Sequence, residues 1–346
     1  MGCVLVRDGA TLGEGWHHRR GEAHAEVEAL RDAHARGNDA AGATAYVSLE
    51  PCDHHGRTPP CTDALIAAGI ARVVIGALDP NPRTAEGGVR ALRERGIAVD
   101  VLDDGAARAR IERFRWTVTH DLPFVTLKMA ASLDGFVASR RGVQQWLTGP
   151  LVRERVRDLR AEHDAVMVGA GTVRVDDPQL TLRPHATRRK PYARVVVCER
   201  GEVPADRRIF APPSDAPPDA YARTIVLVPG GARPAYAALE PLADVVPVGD
   251  ADARVLDVRA AMRALRDRDI ATVLCEGGPT LAGNLLAAGL VQRLTWFVAP
   301  VLLRGDDAVP AIGAAGACAT GWRFDRIERV GDDMLLSADL SACSPD

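Results

Sequence analysis

Several things are missing from this sequence, and each absence closes off a class of protein. No apolar run approaches the roughly 20 residues that a membrane-spanning helix needs. The N-terminus shows neither the charged region nor the apolar stretch of a secretory signal. The opening "MGCVLV" has Gly2 but carries Val6 where N-myristoylation wants Ser or Thr, which argues against a lipid anchor. A large charge of either sign is lacking too. The 43 Lys and Arg stand against 46 Asp and Glu, a formal −3, with no basic excess for nucleic acid and no acidic tail. No repeat of solenoid length is present. Cysteine is scarce: seven are scattered over 346 residues, an odd number that suits a reducing cytosol. There, paired cysteines serve as metal ligands more readily than as disulfides. A cytoplasmic chain long enough for two domains with separate cores is what these absences leave.

The order of elements supports that division. Val4, Leu5 and Val6 read as a buried strand, closed by the turn pair Asp8-Gly9 and followed by a second short strand. A strand that begins at once is expected at a sheet edge, or else after a segment lost upstream. Helices are expected from about His24 to Arg36 and Pro60 to Ala68, and over "GGVRALRERG" and "GAARARIERFRWTVTH". Between them run the strands "ATAYVSLE", "RVVIGAL" and "IAVDVL". Strands alternating with helices of this length imply parallel neighbours and right-handed crossovers. A boundary falls near "THDLPF", where Pro123 ends the last helix. The expected domains are therefore 1–120 and 121–346. The second domain has strands at "FVTLKMAASLDG", "AVMVGAG", "ARVVVCE", "TIVLVPG", "RLTWFVAPVLL" and "DMLLSADL". Its helices lie near Leu151–Ala161 and over "RVLDVRAAMRALRDRD", and "ATVLCEGGPTLAGNLLAAGL" forms a strand, glycine turn and helix. The proline-rich "FAPPSDAPPDAY" is a surface loop.

In the first domain, "HAE" places His24 and Glu26 at the head of a helix. "PCDHHGRTPPC" puts Cys52 at a strand end and Cys61 at a helix start. One imidazole and two thiolates make three zinc ligands and leave the fourth position to water, the catalytic arrangement. A helix start favours the Cys61 thiolate. Glu26 lies close to the metal without being a ligand, so its carboxylate can move a proton between water and a ring nitrogen. This is the layout of zinc nucleobase deaminases, H-x-E followed by P-C-x-x-C. Here, however, the cysteines enclose the eight residues "DHHGRTPP" instead of two. In that loop Arg57 is a candidate for gripping a phosphate, with a solvated surface arginine as the alternative. His54 and His55 in the same loop could bind substrate or metal, though loop histidines usually do neither.

In the second domain, "CEGGPTLAGN" runs from a strand through paired glycines into a helix start, where backbone N–H groups suit an anion such as a pyrophosphate. It is not the fingerprint G-x-G-x-x-G, so no Rossmann domain is inferred. A connector of that kind has no ligand more often than it has one.

The motifs "GEAHAEVEALR", "PCDHHGRTPPCTDALIAAGIARVV", "DPNPRTAEGGVRALRERGI", "LKMAASLDG", "VRVDDPQLTLR" and "EGGPTLAGNLL" together resemble the bifunctional riboflavin-biosynthesis deaminase–reductases, in order and over nearly the whole chain. The resemblance implies a cytidine-deaminase-like three-layer α/β/α zinc domain followed by a dihydrofolate-reductase-like α/β domain. It implies zinc-dependent deamination of 2,5-diamino-6-ribosylamino-4(3H)-pyrimidinone 5′-phosphate, then NADPH-dependent reduction of the ribosyl group to ribityl. Carried over by motif, His24, Cys52 and Cys61 hold Zn2+ and Glu26 is the proton shuttle. Ala130, Trp146, Thr172, Asp176 and the run Gly278, Pro279, Thr280, Leu281, Ala282, Gly283 and Asn284 match NADPH-contacting positions. Arg160, Leu180, Arg183 and Glu276 match substrate-contacting ones, with the arginines suited to the phosphate. Gln144 stands where the family often has Ser, at a substrate position. Cys198-Glu199 stands where Asp-Ser is expected near the adenosine, and a glutamate there would oppose the extra phosphate of NADPH.

The implied partner is a small pyrimidine ribosyl phosphate, with no nucleic acid and no membrane, and a homo-oligomer formed through the reductase domain. Members of the family carry a helix before the first strand, so an N-terminally shortened chain is expected, with its deaminase half impaired. A diverged paralogue in a specialised pathway and a reductase-only protein are the alternatives. A non-catalytic zinc-stabilised module is a further one, and the intact H-A-E opposes it.

Overall fold

Asp8 and Gly9 both take positive φ, 53° and 77°, the backbone of the two-residue turn that matches the twist of a hairpin. In the computed structural model the described residues are 1–18, 21–56, 58–184, 188, 190–199, 203–211, 213–217, 220–313 and 321–339. The turn joins β1 (Gly2–Arg7) to β2 (Ala10–Trp16), and the chain divides into two compact units, Met1–His120 and Asp121–Asp346.

The first unit continues through α1 (Ala25–Ala35), β3 (Thr44–Val47), α2 (Cys61–Ala67), β4 (Arg72–Ile75), α3 (Gly87–Glu94) and β5 (Ala98–Val101). It closes with α4 (Gly105–Arg110) and α5 (Glu112–Thr119). Its sheet has the order β2-β1-β3-β4-β5, with β3, β4 and β5 parallel as the alternating pattern requires. β1 is not at an edge: β2 and β3 pair with it on either side, both antiparallel. The single closing helix expected from sequence is two helices. The Asp104 side chain caps the first by accepting from the Ala107 N–H at 2.8 Å, and the helical backbone breaks at Ile111.

The packing of α1 on the hairpin is unusually close. Ala25, Ala29 and Ala33 share one helix face, and Gly13 and Gly15 of β2 lie beneath it. A Cβ on Gly13 would sit 2.5 Å from the Ala29 carbonyl oxygen, and one on Gly15 would sit 2.3 Å from the Ala29 nitrogen. Small residues on both sides let helix and strand backbones touch, and this contact sets the position of the residues that open the helix.

The second unit is built on β6 (Phe124–Ser132), β8 (Ala165–Gly169), β9 (Ala193–Val197), β10 (Thr224–Pro229), β11 (Ala243–Val248), β12 (Thr272–Cys275), β13 (Arg293–Ala299), β15 (Arg323–Val330) and β16 (Asp333–Asp339). The helices are α6 (Pro150–Ala161), α7 (Ala170–Asp176), α8 (Val258–Arg266) and α9 (Pro279–Ala287). β7 (Phe136–Ala138) and β14 (Val309–Pro310) form a small separate ribbon. The large sheet runs β11-β10-β9-β8-β12-β6-β13-β16-β15, parallel from β11 to β13 and antiparallel at the last two strands. Apolar clusters cover both faces, as a mostly parallel sheet requires. The β7–β14 ribbon escaped the sequence reading, as did two strands of the large sheet. β11 contains Pro247, which only an edge strand tolerates, and β15 is mostly exposed and alternates charges with Phe324 and Ile327. α7, at "AGTVRVD", is short and directly follows a strand.

Candidate functional sites

His24 caps α1 in extended conformation, and its side chain makes no capping bond. The imidazole is therefore free to turn toward the cysteines. Its Nδ1 lies 3.2 Å from Cys61 Sγ and 3.5 Å from Cys52 Sγ, and the three ligand atoms lie within 4.8 Å of one another. The loop between strand and helix brings Cys52 back onto the first turn of α2, where the Cys61 N–H donates to Cys52 Sγ at 3.4 Å. That bond brings the helix start to bear on the Cys52 sulfur as well. A hydrogen bond from Cys61 draws the Cys52 thiol down to about 4, with His24 assisting, while the same shared proton and burial push Cys61 up. Soft sulfurs and one imidazole, close enough to meet at a single ion, fit zinc.

Glu26 follows in the first turn of α1, is 7 % exposed, and its carboxyl is raised by burial above the ordinary range. Among the described residues this cluster is the one with metal-ligand geometry. His54 and His55 are exposed and outside it, and Arg57 lies outside the described residues. Sequence reasoning missed two supports. His17 meets the His24 ring edge-on at 5.2 Å while its Nδ1 contacts the Ala23 carbonyl. Glu50, buried just before Pro51-Cys52, accepts the N–H groups of Asp79, Glu86 and Val89 at 3.0, 3.1 and 3.1 Å. It thereby pins the following loop beside the metal ligands. A glutamate with no partner nearby in sequence gave no signal of this.

In the second unit a cleft of about 980 Å³ opens at the C-terminal ends of β6, β8, β9 and β12, the usual ligand position on a parallel sheet. It collects Ala130, Gln144, Trp146, Arg160, Thr172, Asp176, Leu180, Arg183, Glu276, Gly278, Pro279, Thr280 and Leu281, most of the positions expected from sequence. Ala282 and Gly283 do not line it, since both are buried on the inner side of α9. Asn284 lines the adjoining pocket instead and donates to Glu199, which borders both spaces. Gly278 caps α9 without a side chain and Pro279 has no N–H, so the N–H groups of Thr280 and Leu281 are the ones at this helix start that suit an anion. The preceding Gly277 has φ 86°, open to glycine alone without strain. Leu180, 3 % exposed, also has positive φ, 52°, a costly conformation for a branched side chain, held here at the cleft wall.

Cations dominate the lining. Arg153, Arg157 and Arg160 lie along one face of α6, and Arg183 and Arg208 line the same cleft. Arg160 is nevertheless committed elsewhere. Its Nε and Nη2 donate to both Glu276 oxygens at 2.5 and 2.9 Å, and its Nη1 donates to the Thr181 carbonyl at 3.2 Å. Arg183 is exposed and, among the described residues, donates to the Gln179 amide oxygen at 2.9 Å, so its guanidinium can turn to a phosphate. Lys128, absent from the sequence reading, also lines the cleft. Its amine is lowered by burial, against the opposing charge of Glu276. It is one of two lysines in the chain and the one charged residue of β6, which is the signal that was overlooked. Asp176 on α7 faces the same space with its carboxyl raised by burial.

Comparison with known proteins agrees with this division. Residues 1–77 match the model of the cytidine and deoxycytidylate deaminase zinc-binding region, and residues 123–336 match that of the RibD C-terminal domain. The riboflavin biosynthesis protein RibD of Escherichia coli K12 is 40 % identical to this chain, over 97 % of it and 92 % of the relative. The chain belongs to the RibD family. RibD of Aquifex aeolicus is 36 % identical over 97 % of the chain and 90 % of the relative. Two solved RibD-family structures share the fold. RibD of Acinetobacter baumannii superposes with a TM-score of 0.78 at 32 % identity, covering 98 % of this chain and 91 % of that one. The Thermotoga maritima diaminohydroxyphosphoribosylaminopyrimidine deaminase/5-amino-6-(5-phosphoribosylamino)uracil reductase gives 0.78 at 33 % identity, with the same coverage. The fold is thus a cytidine-deaminase-like zinc domain joined to a RibD reductase domain. Among the described residues no helix is long and apolar enough to cross a membrane.

Proposed function

We propose that the unit Met1–His120 carries the zinc-dependent deamination and the unit Asp121–Asp346 the NADPH-dependent reduction of this bifunctional riboflavin-biosynthesis enzyme. The observation that carries the reading is the joint presence of the His24–Cys52–Cys61 cluster beside a buried Glu26, and a separate cationic cleft with an open helix start. Zinc held by the three ligands supplies a Lewis acid that makes water nucleophilic at neutral pH. Glu26 takes a proton from the attacking water and gives it to a pyrimidine ring nitrogen, then carries the second proton from the added hydroxyl to the amino group, which leaves as ammonia as the carbonyl forms. Its burial suits that duty, because a carboxyl raised by desolvation holds a proton more readily than a free one and can return it.

In the second unit NADPH supplies the hydride equivalent that reduces the ribosylamine at C1′. The N–H groups of Thr280 and Leu281 at the start of α9 fit its pyrophosphate, and Arg183 fits the phosphate of the substrate. Hydride addition at C1′ leaves the opened sugar oxygen in need of a proton. Lys128, in the cleft beside Glu276, is the group suited to donate it. A cytoplasmic homo-oligomer assembled through the reductase unit is the form in which the enzyme would act. The test is to incubate the purified, zinc-loaded protein with the synthesised diaminopyrimidine ribosyl phosphate and NADPH. Ammonia release and nucleotide oxidation are expected in sequence. Ammonia without oxidation, or oxidation of only a previously deaminated substrate, would remove one half of the reading.

A further inference from the structure

A second pocket, of about 670 Å³, lies beside the cleft in the reductase unit, and Glu199 and Thr280 line both spaces. Beyond that shared neck the walls are apolar, made by Val255, Leu256, Val258, Ala287 and Ala288. The neck is polar: Glu199 stands just past the end of β9 and accepts a hydrogen bond from the Asn284 side chain on α9. A dinucleotide resting its phosphates on the start of α9 would send one end toward Lys128 and Glu276. The other end would pass the neck into the apolar pocket. Apolar walls suit a purine, and the neck then meets the ribose joined to it.

A carboxylate at that place accepts hydrogen bonds from ribose hydroxyls and repels a phosphate attached to one of them. Among the described residues lining this pocket there is no Lys or Arg to offset the repulsion. Arg259 touches its wall, with its guanidinium donating to the Ala288 carbonyl at 2.6 Å.

We propose that Glu199 sets nucleotide selectivity, holding the ribose hydroxyls of the adenosine half and narrowing the preference for NADPH over NADH. This rests on the reading of the second unit as a nicotinamide-dependent reductase. The test is fluorescence titration of NADPH and NADH on the intact protein, without substrate, for wild type, Glu199→Gln and Glu199→Ser. In the wild type the two dissociation constants should agree within about tenfold. In both variants their ratio should move at least about tenfold toward NADPH, the effect of removing one like charge from beside the phosphate. A ratio unchanged in variants that still bind nucleotide would overturn the role of Glu199. A wild type that binds neither nucleotide would instead overturn the reductase reading. Competition by ADP and 2′,5′-ADP on the wild type checks the same point without a substitution. Comparable displacement supports the proposal, and a preference for 2′,5′-ADP well beyond tenfold opposes it.

Discussion

Arg160 and Glu276 meet fork to fork on the cleft wall, two parallel bonds of 2.5 and 2.9 Å between side chains 18 % and 10 % exposed. The pair joins α6 to the end of β12 across 116 residues of sequence. It means that the guanidinium expected to bind substrate phosphate has an internal partner, and that Glu276 is oriented by Arg160.

Breaking the pair from one side strands a mostly buried charge, at a cost of about 3–5 kcal/mol. Arg160→Met should therefore lower the melting temperature of the reductase unit in calorimetry. The pH dependence gives the sign. Burial works to raise the Glu276 carboxyl, but the Arg160 guanidinium outweighs it and holds the group below the ordinary carboxylate range. The pair's stabilisation is thus fully present at neutral pH and is lost as pH falls through and below that range. In Arg160→Met burial is opposed only by the weaker pull of Lys128 and His163, so Glu276 rises and acid relieves the variant. The wild-type and variant stability curves should converge below about pH 5. A gap that stays constant from pH 7 to about pH 4 would contradict this account.

Glu26→Gln preserves shape and removes the proton carrier. Deamination should fall by about 10²–10⁴-fold, the usual worth of a positioned acid–base group. Zinc content by elemental analysis and reduction of the already deaminated substrate should both persist. Near-normal ammonia release from the variant would remove Glu26 from the mechanism.

Arg183→Ala removes an exposed guanidinium from the cleft rim. A charge-assisted bond to phosphate at a partly solvated place is worth about 1.5 kcal/mol, the low end for such bonds. Affinity for the phosphorylated substrate should drop about tenfold, with NADPH affinity changed far less. Loss of NADPH binding alone, measured by titration, would move Arg183 to the nucleotide site.

Much of this was readable in the sequence because the signals are local. The zinc ligands lie at element ends marked by "HAE" and "PC…C", and the glycine pair before α9 marks its own turn. What stayed hidden depends on chain segments meeting from far apart. Glu50 finds its three N–H partners 29 to 39 residues away, and the commitment of Arg160 becomes visible only with Glu276 beside it. The resemblance of "VRVDDPQLTLR" marked a substrate segment, yet its helix and the left-handed Leu180 follow from packing, not from residue preference.

Gly15 offers a test of how the deaminase site is positioned. Any Cβ there would lie 2.3 Å from the Ala29 nitrogen and 2.6 Å from the Ala25 carbonyl oxygen, both backbone atoms of α1. No side-chain rearrangement can relieve that contact, so Gly15→Ala must push the helix away from β2. The start of α1 holds His24 and Glu26, and a shift there separates the imidazole from Cys52 and Cys61. Overpacking of this kind costs about 1–3 kcal/mol. Gly15→Ala should therefore lose both stability and zinc stoichiometry in the first unit while the reductase activity of the second persists. Gly9→Ala is the matched control. Gly9 has φ 77° but open space around its missing Cβ, so the substitution strains the hairpin turn by about 1–2 kcal/mol without touching α1. It should destabilise the unit yet retain zinc. If both variants lose zinc in proportion to their stability, the metal site depends on the overall stability of the unit, and the close helix–strand contact has no specific role in placing His24.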